Sequence, residues 1–235
     1  MKNNLIKLFD YSSLNSVNEF KEIEKLVLNN NICIVSNFIS EADANSLLNK
    51  IKLFRNKNIE NYNYDRLNSK KSFIRRDINP IHSTTKHTFD SYCITFQRSD
   101  DELGLITFDI FKKMKSFYNR IVGADYDFGF SDKIIGLRPQ IIHYPVGGGY
   151  FDWHQHKLNP QKVGLILNLS NPNIDYKSGS TMFKIDNNEV NIYNEHRQGS
   201  LALFKYDLVH KVTDVEKNQP LDFNKGRYSA IIPLM

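Results

Sequence analysis

Two histidines separated by one residue, His154 and His156, close the stretch Tyr144 to His156, YPVGGGYFDWHQH. A third, His210, follows 54 residues later, and Arg227-Tyr228-Ser229 begins 17 residues after that. On a strand, residues i and i+2 face the same side, so both imidazoles of a His-x-His pair can approach one ion. Imidazole suits iron, zinc and copper. A distant strand brought back by the fold would let His210 complete a three-ligand face, leaving the opposite side of the ion open to small molecules. The competing interpretation is a pair of exposed or hydrogen-bonded histidines, and the His-x-His spacing alone does not separate the two. Asp152 also lies two residues from His154, but using it as a ligand demands a shifted strand register.

Arg227 suits a carboxylate because its planar fork makes two charge-assisted bonds. Ser229, two residues on, faces the same side of a strand and can donate another. In isolation the same pair reads as an arginine matched to a surface acid and a serine at a strand edge. Trp153 beside the first histidine either walls a pocket or packs at a barrel rim. Arg138 is a candidate for an acidic substrate group. His143 alternates out of phase with Tyr144 and belongs outside the site, while His82, His87 and His196 lack ligand spacing.

These residues need a scaffold of strands. RPQIIHY, from Arg138 to Tyr144, reads as a strand ending at Pro145, with a turn at Gly147 to Gly149. Further short strands are expected over 163–169, 178–183, 189–193, 200–204, 210–212 and 227–233, separated by Gly-, Asn- and Asp-rich turns. That pattern predicts a mainly β jelly roll or related barrel. The N-terminal half adds helices. Residues 1–16 read as a polar lead-in, 17–30 as a short helix and 31–38 as a strand. Ser40 is a candidate N-cap for a helix starting at Glu41, and 105–122 has helical periodicity suited to covering one side of a sheet. Residues 91–97 resume strand character. Residues 55–90 are polar and read mostly as loop or flap, with Tyr62, Tyr64, Phe73, His82 and His87 free to face solvent or a pocket. No series of long crossover helices supports a doubly wound sheet. The expectation is one domain over 1–235, with lead-in and helix over 1–30, strands, supporting helices and lid over 31–137, and metal-binding core over 138–235.

The chain has 235 residues and a formal charge of +5, from 31 basic and 26 acidic residues. The length suits one sizeable core. The charge is interspersed, without the continuous basic footprint of a nucleic-acid binder, and an anionic small substrate or cosubstrate accounts for it equally well. Cys33 and Cys93 sit in apolar, strand-like surroundings and read as small buried hydrophobes rather than a disulfide framework. No apolar run reaches membrane-spanning length and no secretory leader is evident, so a cytoplasmic protein is expected.

From residue 138 onward the sequence resembles the iron(II) and 2-oxoglutarate dependent dioxygenases, particularly their prolyl-hydroxylase-like branch. The resemblance is carried by Tyr144 and its glycine turn, His154-Gln155-His156, VGLILNL at 163–169 and GSTMF at 179–183. It continues through GSLALF at 199–204, HKVTDV at 210–215 and GRYS at 226–229, and extends weakly back to SNFISEADANSLLNKI at 36–51. It implies a double-stranded β-helix of the jelly-roll, cupin-like kind with flanking N-terminal helices. It further implies Fe(2+) held by His154, His156 and His210, and 2-oxoglutarate gripped by Arg227 and Ser229. Tyr144 is a candidate third donor to the cosubstrate, and Gln140 and Asn168 are inward candidates for contacting cosubstrate or substrate. The implied reaction uses O2 and 2-oxoglutarate to hydroxylate an unactivated carbon.

The sequence departs from the family at His156, where the pattern has a carboxylate. Imidazole there makes the ligand set one unit less negative. Halogenating relatives have a small residue at this position, which His156 is not. A three-histidine iron site is the preferred interpretation. The others are a site in which His156 points away, and a non-catalytic relative. The expected substrate is a small molecule such as an amino acid or natural-product intermediate. A protein or peptide hydroxylase and a non-oxidative cupin-like metal- or sugar-binding protein are the alternatives. A homodimer is compatible with these features but not encoded by them.

Overall fold

The computed structural model describes residues 5–58, 70–129 and 135–235. Among these, three α-helices and twelve strands follow one another as β1 (Ile6–Asp10), α1 (Val17–Leu28), β2 (Ile32–Ser36), α2 (Glu41–Lys57), β3 (Phe73–Ile78), β4 (His87–Cys93) and α3 (Glu102–Val122), with a short 3-10 turn at Tyr11–Ser13 between β1 and α1. The chain continues with β5 (Gln140–Val146), β6 (Gly149–His154), β7 (Val163–Asn168), β8 (Thr181–Ile185), β9 (Asn188–Asn191), β10 (Leu201–Lys205), β11 (His210–Val215) and β12 (Asp222–Ile231).

Local sequence explains the helices. Ser16 and Glu19 form a reciprocal capping box at the start of α1. Phe20, Ile23 and Val27 then recur on one buried face. Ser40 caps α2 by accepting from the Asp43 N–H at 3.0 Å. α3 ends at Gly123, whose left-handed φ of 63° suits a residue without Cβ.

The strands form one curled sheet in the order β1-β2-β10-β7-β12-β5-β4-β6-β11-β8-β9, with β3 on the other edge of β4. The path folds over at β4, where Asp90 to Cys93 pair with β5 while His87 and Thr88 pair with β6. Strands distant along the path therefore meet face to face. Phe183 of β8 and Phe204 of β10 have ring centroids 5.0 Å apart. This is a double-stranded β-helix, mainly β with helices flanking it. Alternation assigns each strand two tasks. Tyr92, Ile141, Leu167, Leu203, Tyr228 and Ala230 join the helices in the largest core cluster. Their neighbours Ser91, Ile142, Ile166, Phe204, Arg227 and Ser229 face a cavity inside the curl.

Several boundaries differ from the sequence expectation. The polar lead-in contains β1, which adds in parallel to β2 with Ile6 opposite Ile32. The region expected to be mostly loop contains the end of α2, all of β3 and the start of β4. β3 escapes sequence detection because FIRRDI carries charge at successive positions. β5 runs through Pro145 to Val146. Tyr62 and Tyr64 lie outside the described residues. Cys33 is buried and Cys93 half-buried, and neither forms a disulfide among the described residues. No helix among the described residues is long and apolar enough to cross a membrane.

Candidate metal centre

His154 is the last residue of β6 and His210 the first of β11, and the two are directly paired across the strands. Their rings lie 4.2 Å apart. His156 lies beyond the end of β6, yet its ring is 5.1 Å from that of His154 and 5.3 Å from that of His210. One ligand atom from each of the three falls within 4.8 Å of the others. No carboxylate joins this group among the described residues. Asp152 is exposed and its Oδ1 accepts from the Trp153 N–H at 2.7 Å.

Backbone hydrogen bonds prepare two of the rings. His154 Nδ1 donates to the carbonyl of Asp152 and His210 Nδ1 to that of Leu208, each at 2.7 Å. A carbonyl only accepts, so Nδ1 carries the proton and Nε2 keeps the lone pair a metal requires. Burial pushes the pKa of His154 down to about 4 and that of His210 to about 3. Burial lowers that of His156 as well. The triad is thus neutral near pH 7 and ready to ligate. Among the described residues His156 has no such carbonyl bond. It is held by stacking on Tyr206, with centroids 4.5 Å apart and planes at 15°. Phe151 stacks similarly on His154 at 3.7 Å.

Arg227 and Ser229 on β12 face the same cavity, of about 610 Å³. Arg227 is 2% exposed, and its Nη2 donates to Thr181 Oγ1 at 2.7 Å. Its Nη1 and the Ser229 hydroxyl are buried without hydrogen-bond partners among the described residues. Orphaned buried donors cost on the order of 1–3 kcal/mol each, more when charged, and an anion seated there removes that cost. Tyr144 pairs with Arg227 across β5 and β12, and burial pushes its phenol up to about 12. A neutral histidine triad beside a buried, unsatisfied guanidinium fits a divalent cation carrying an anionic chelator.

The other expected site residues separate into two groups. Gln140 and Arg138 line the cavity. Asn168 and Trp153 do not. Asn168 lies opposite Ser229 and so is on the inner face of the sheet, but its amide donates to His196 O at 2.9 Å and its oxygen accepts from the Ser170 N–H, so it braces neighbouring loops rather than lining the cavity. The Trp153 ring lies under Lys184 and Lys211, at 4.3 and 4.4 Å. His143 packs on Tyr228 at 4.0 Å on the helix side, as its phase requires. Thr181, Tyr206 and Phe151 carry no site role in the sequence reading. Thr181 lies within the GSTMF motif, whereas nothing in the sequence pairs Tyr206 with His156.

No family model matches the chain, and no curated protein matches it. Solved structures do. The chain is similar to a Pseudomonas putida prolyl-4-hydroxylase, with a TM-score of 0.57 at 12% identity over 92% of this chain and 97% of that one. It is similar to a putative oxygenase from Shewanella oneidensis, with a TM-score of 0.61 at 14% identity over 97% and 89% of the two chains. It is also similar to a full-length Neurospora crassa protein in complex with alpha-KG and thymine, with a TM-score of 0.62 at 13% identity over 100% and 87%. The chain has the double-stranded β-helix fold that these proteins share.

Proposed function

We propose that the protein is an iron(II)- and 2-oxoglutarate-dependent oxygenase that oxidises an unactivated carbon of a small molecule. The supporting observation is the shared cavity: three neutral histidines on one wall, and the unsatisfied donors of Arg227 and Ser229 on another. His154, His156 and His210 would hold the metal. Arg227 and Ser229 would bind the far carboxylate of 2-oxoglutarate, with Tyr144 beside them. The balanced overall reaction is R–H, O2 and 2-oxoglutarate giving R–OH, succinate and carbon dioxide.

Bound iron would supply the oxygen chemistry. The chain's residues supply geometry and environment. The carbonyls of Asp152 and Leu208 fix two imidazole tautomers, Thr181 aims the guanidinium, and Phe151, Phe204 and Val212 line the cavity with apolar surface. His156 in place of an acid leaves the metal's own charge uncompensated by protein ligands. That favours a doubly anionic chelator and strengthens the demand for it. A non-oxidative metal-binding protein would have no use for a buried guanidinium with an orphaned N–H facing the cavity.

Turnover without added substrate gives the test. Aerobic protein with iron should release carbon dioxide from 2-oxoglutarate, and His210→Ala should abolish the release. Metal-dependent binding of 2-oxoglutarate with no release under any oxygen tension would contradict an oxygenase.

A further inference from the structure

The triad and the Arg227–Ser229 pair occupy one part of the cavity. Another part is built by β3 and its partner β4. Register defines a row across the cavity face: Arg75 opposite Ser91, Ser91 opposite Ile142, and Ile142 opposite Ser229. Three strand spacings of about 4.8 Å separate the two backbones by at most roughly 14 Å, measured along the curled sheet. Arg75 therefore enters the cavity from a wall three strands away from the one that carries Ser229.

Arg75 lines the cavity and is ion-paired with Asp77, two residues along the same strand and on the same face. That pair holds the guanidinium by one end. Its Nε–H is buried without a hydrogen-bond partner among the described residues. An incoming anion would satisfy it and could take the fork's other donors. Lys70 and Arg138 also line the cavity, and no acidic side chain does among the described residues. From this end toward the metal the wall is aromatic. Phe89 lies 5.6 Å from Phe151, which stacks on His154.

Building on the oxygenase reading, we propose that the primary substrate is a small organic acid with an apolar body. Arg75 binds its anionic group, and Phe89 and Phe151 hold the body against the face of the triad. The molecule's acid and the carbon to be oxidised lie at its opposite ends.

The test uses the full chain loaded with Zn(II) and 2-oxoglutarate, so that no turnover occurs. A panel of aliphatic and aromatic monocarboxylic acids, each with its primary amide, is measured by thermal shift and by calorimetry. At least one acid should bind and its amide should not. Arg75→Gln should weaken that acid by about tenfold or more, and Arg75→Lys by less. Because Arg75→Gln strands the Asp77 carboxylate, Arg75→Gln combined with Asp77→Asn serves as the folded control and should show the same loss. Equal binding of acids and amides, no binding by any acid, or undiminished acid binding in the double variant overturns the proposal. Cosubstrate binding is read in the same samples. Its failure would sink the oxygenase reading itself, whereas its presence without acid binding would sink only the substrate assignment.

Discussion

Each candidate ligand has its own means of support. His154 and His210 each have a backbone carbonyl at 2.7 Å, whereas among the described residues His156 has no such partner and stacks on the Tyr206 ring. Outer-shell partners of metal ligands are typically worth about 10–100-fold in affinity. Tyr206→Ala should therefore weaken Co(II) binding by about tenfold, while Tyr206→Phe, which keeps the ring, should leave it near the parent value. His156→Ala should cost more than Tyr206→Ala. Equal Co(II) affinity in His156→Ala and the parent would exclude His156 from the ligand set. Thr181→Val keeps shape but removes the acceptor that aims Arg227. It should weaken 2-oxoglutarate about tenfold without changing metal affinity, as checked by calorimetry of the Zn(II)-loaded protein. The triad, Arg227 and Ser229 were legible in the sequence as candidates because their residue types recur in the order and spacing of the resemblance over 138–235, not because the spacing of any one pair decides it. Tyr206, Thr181 and Arg75 were not, because each acts through a partner brought near only by the fold.

At the scale of elements, strand register turns side-chain alternation into a site. Asp90 of β4 accepts two hydrogen bonds from Arg76 of β3, each at 2.8 Å, and lies opposite His143 of β5. This ties the three strands whose other faces carry Arg75, Ser91 and Ile142. Gly226 immediately precedes Arg227, at an irregularity where β12 shifts register against β5. Its φ of 141° disfavours any side chain, and a Cβ there would collide with the Tyr144 carbonyl oxygen. Gly226→Ala should cost about 1–3 kcal/mol of stability and weaken 2-oxoglutarate by displacing Arg227. Urea unfolding and calorimetry on one preparation check both effects. The sequence announced α1, α2, α3 and most strands after Arg138 through periodicity and turn residues. It did not announce β1 or β3. Both are strands whose residues alternate poorly, and pairing with β2 and β4 overrides their weak local preference.

At the scale of the molecule, the curled sheet buries imidazoles in their neutral form. Burial pushes His154 down to about 4, and His196 and His210 to about 3. An unfolded chain protonates its histidines near about 6.5. Between these limits the unfolded state binds protons that the folded state does not, so stability is full above about pH 6.5 and declines toward about pH 3. The metal-free protein should thus unfold at lower urea at about pH 5 than at about pH 7.5. Identical midpoints would show that the three rings are not held neutral by folding.

The central claim is that one cavity binds a metal through three histidines and a dicarboxylate through Arg227 and Ser229, with both ligands meeting at the metal. Anaerobic titration of Fe(II) with and without 2-oxoglutarate tests it most directly. A visible metal-to-ligand charge-transfer band should appear only when both are present, and Arg227→Ala should raise the 2-oxoglutarate concentration needed while leaving iron binding intact. Iron binding with no band at saturating 2-oxoglutarate would contradict the account.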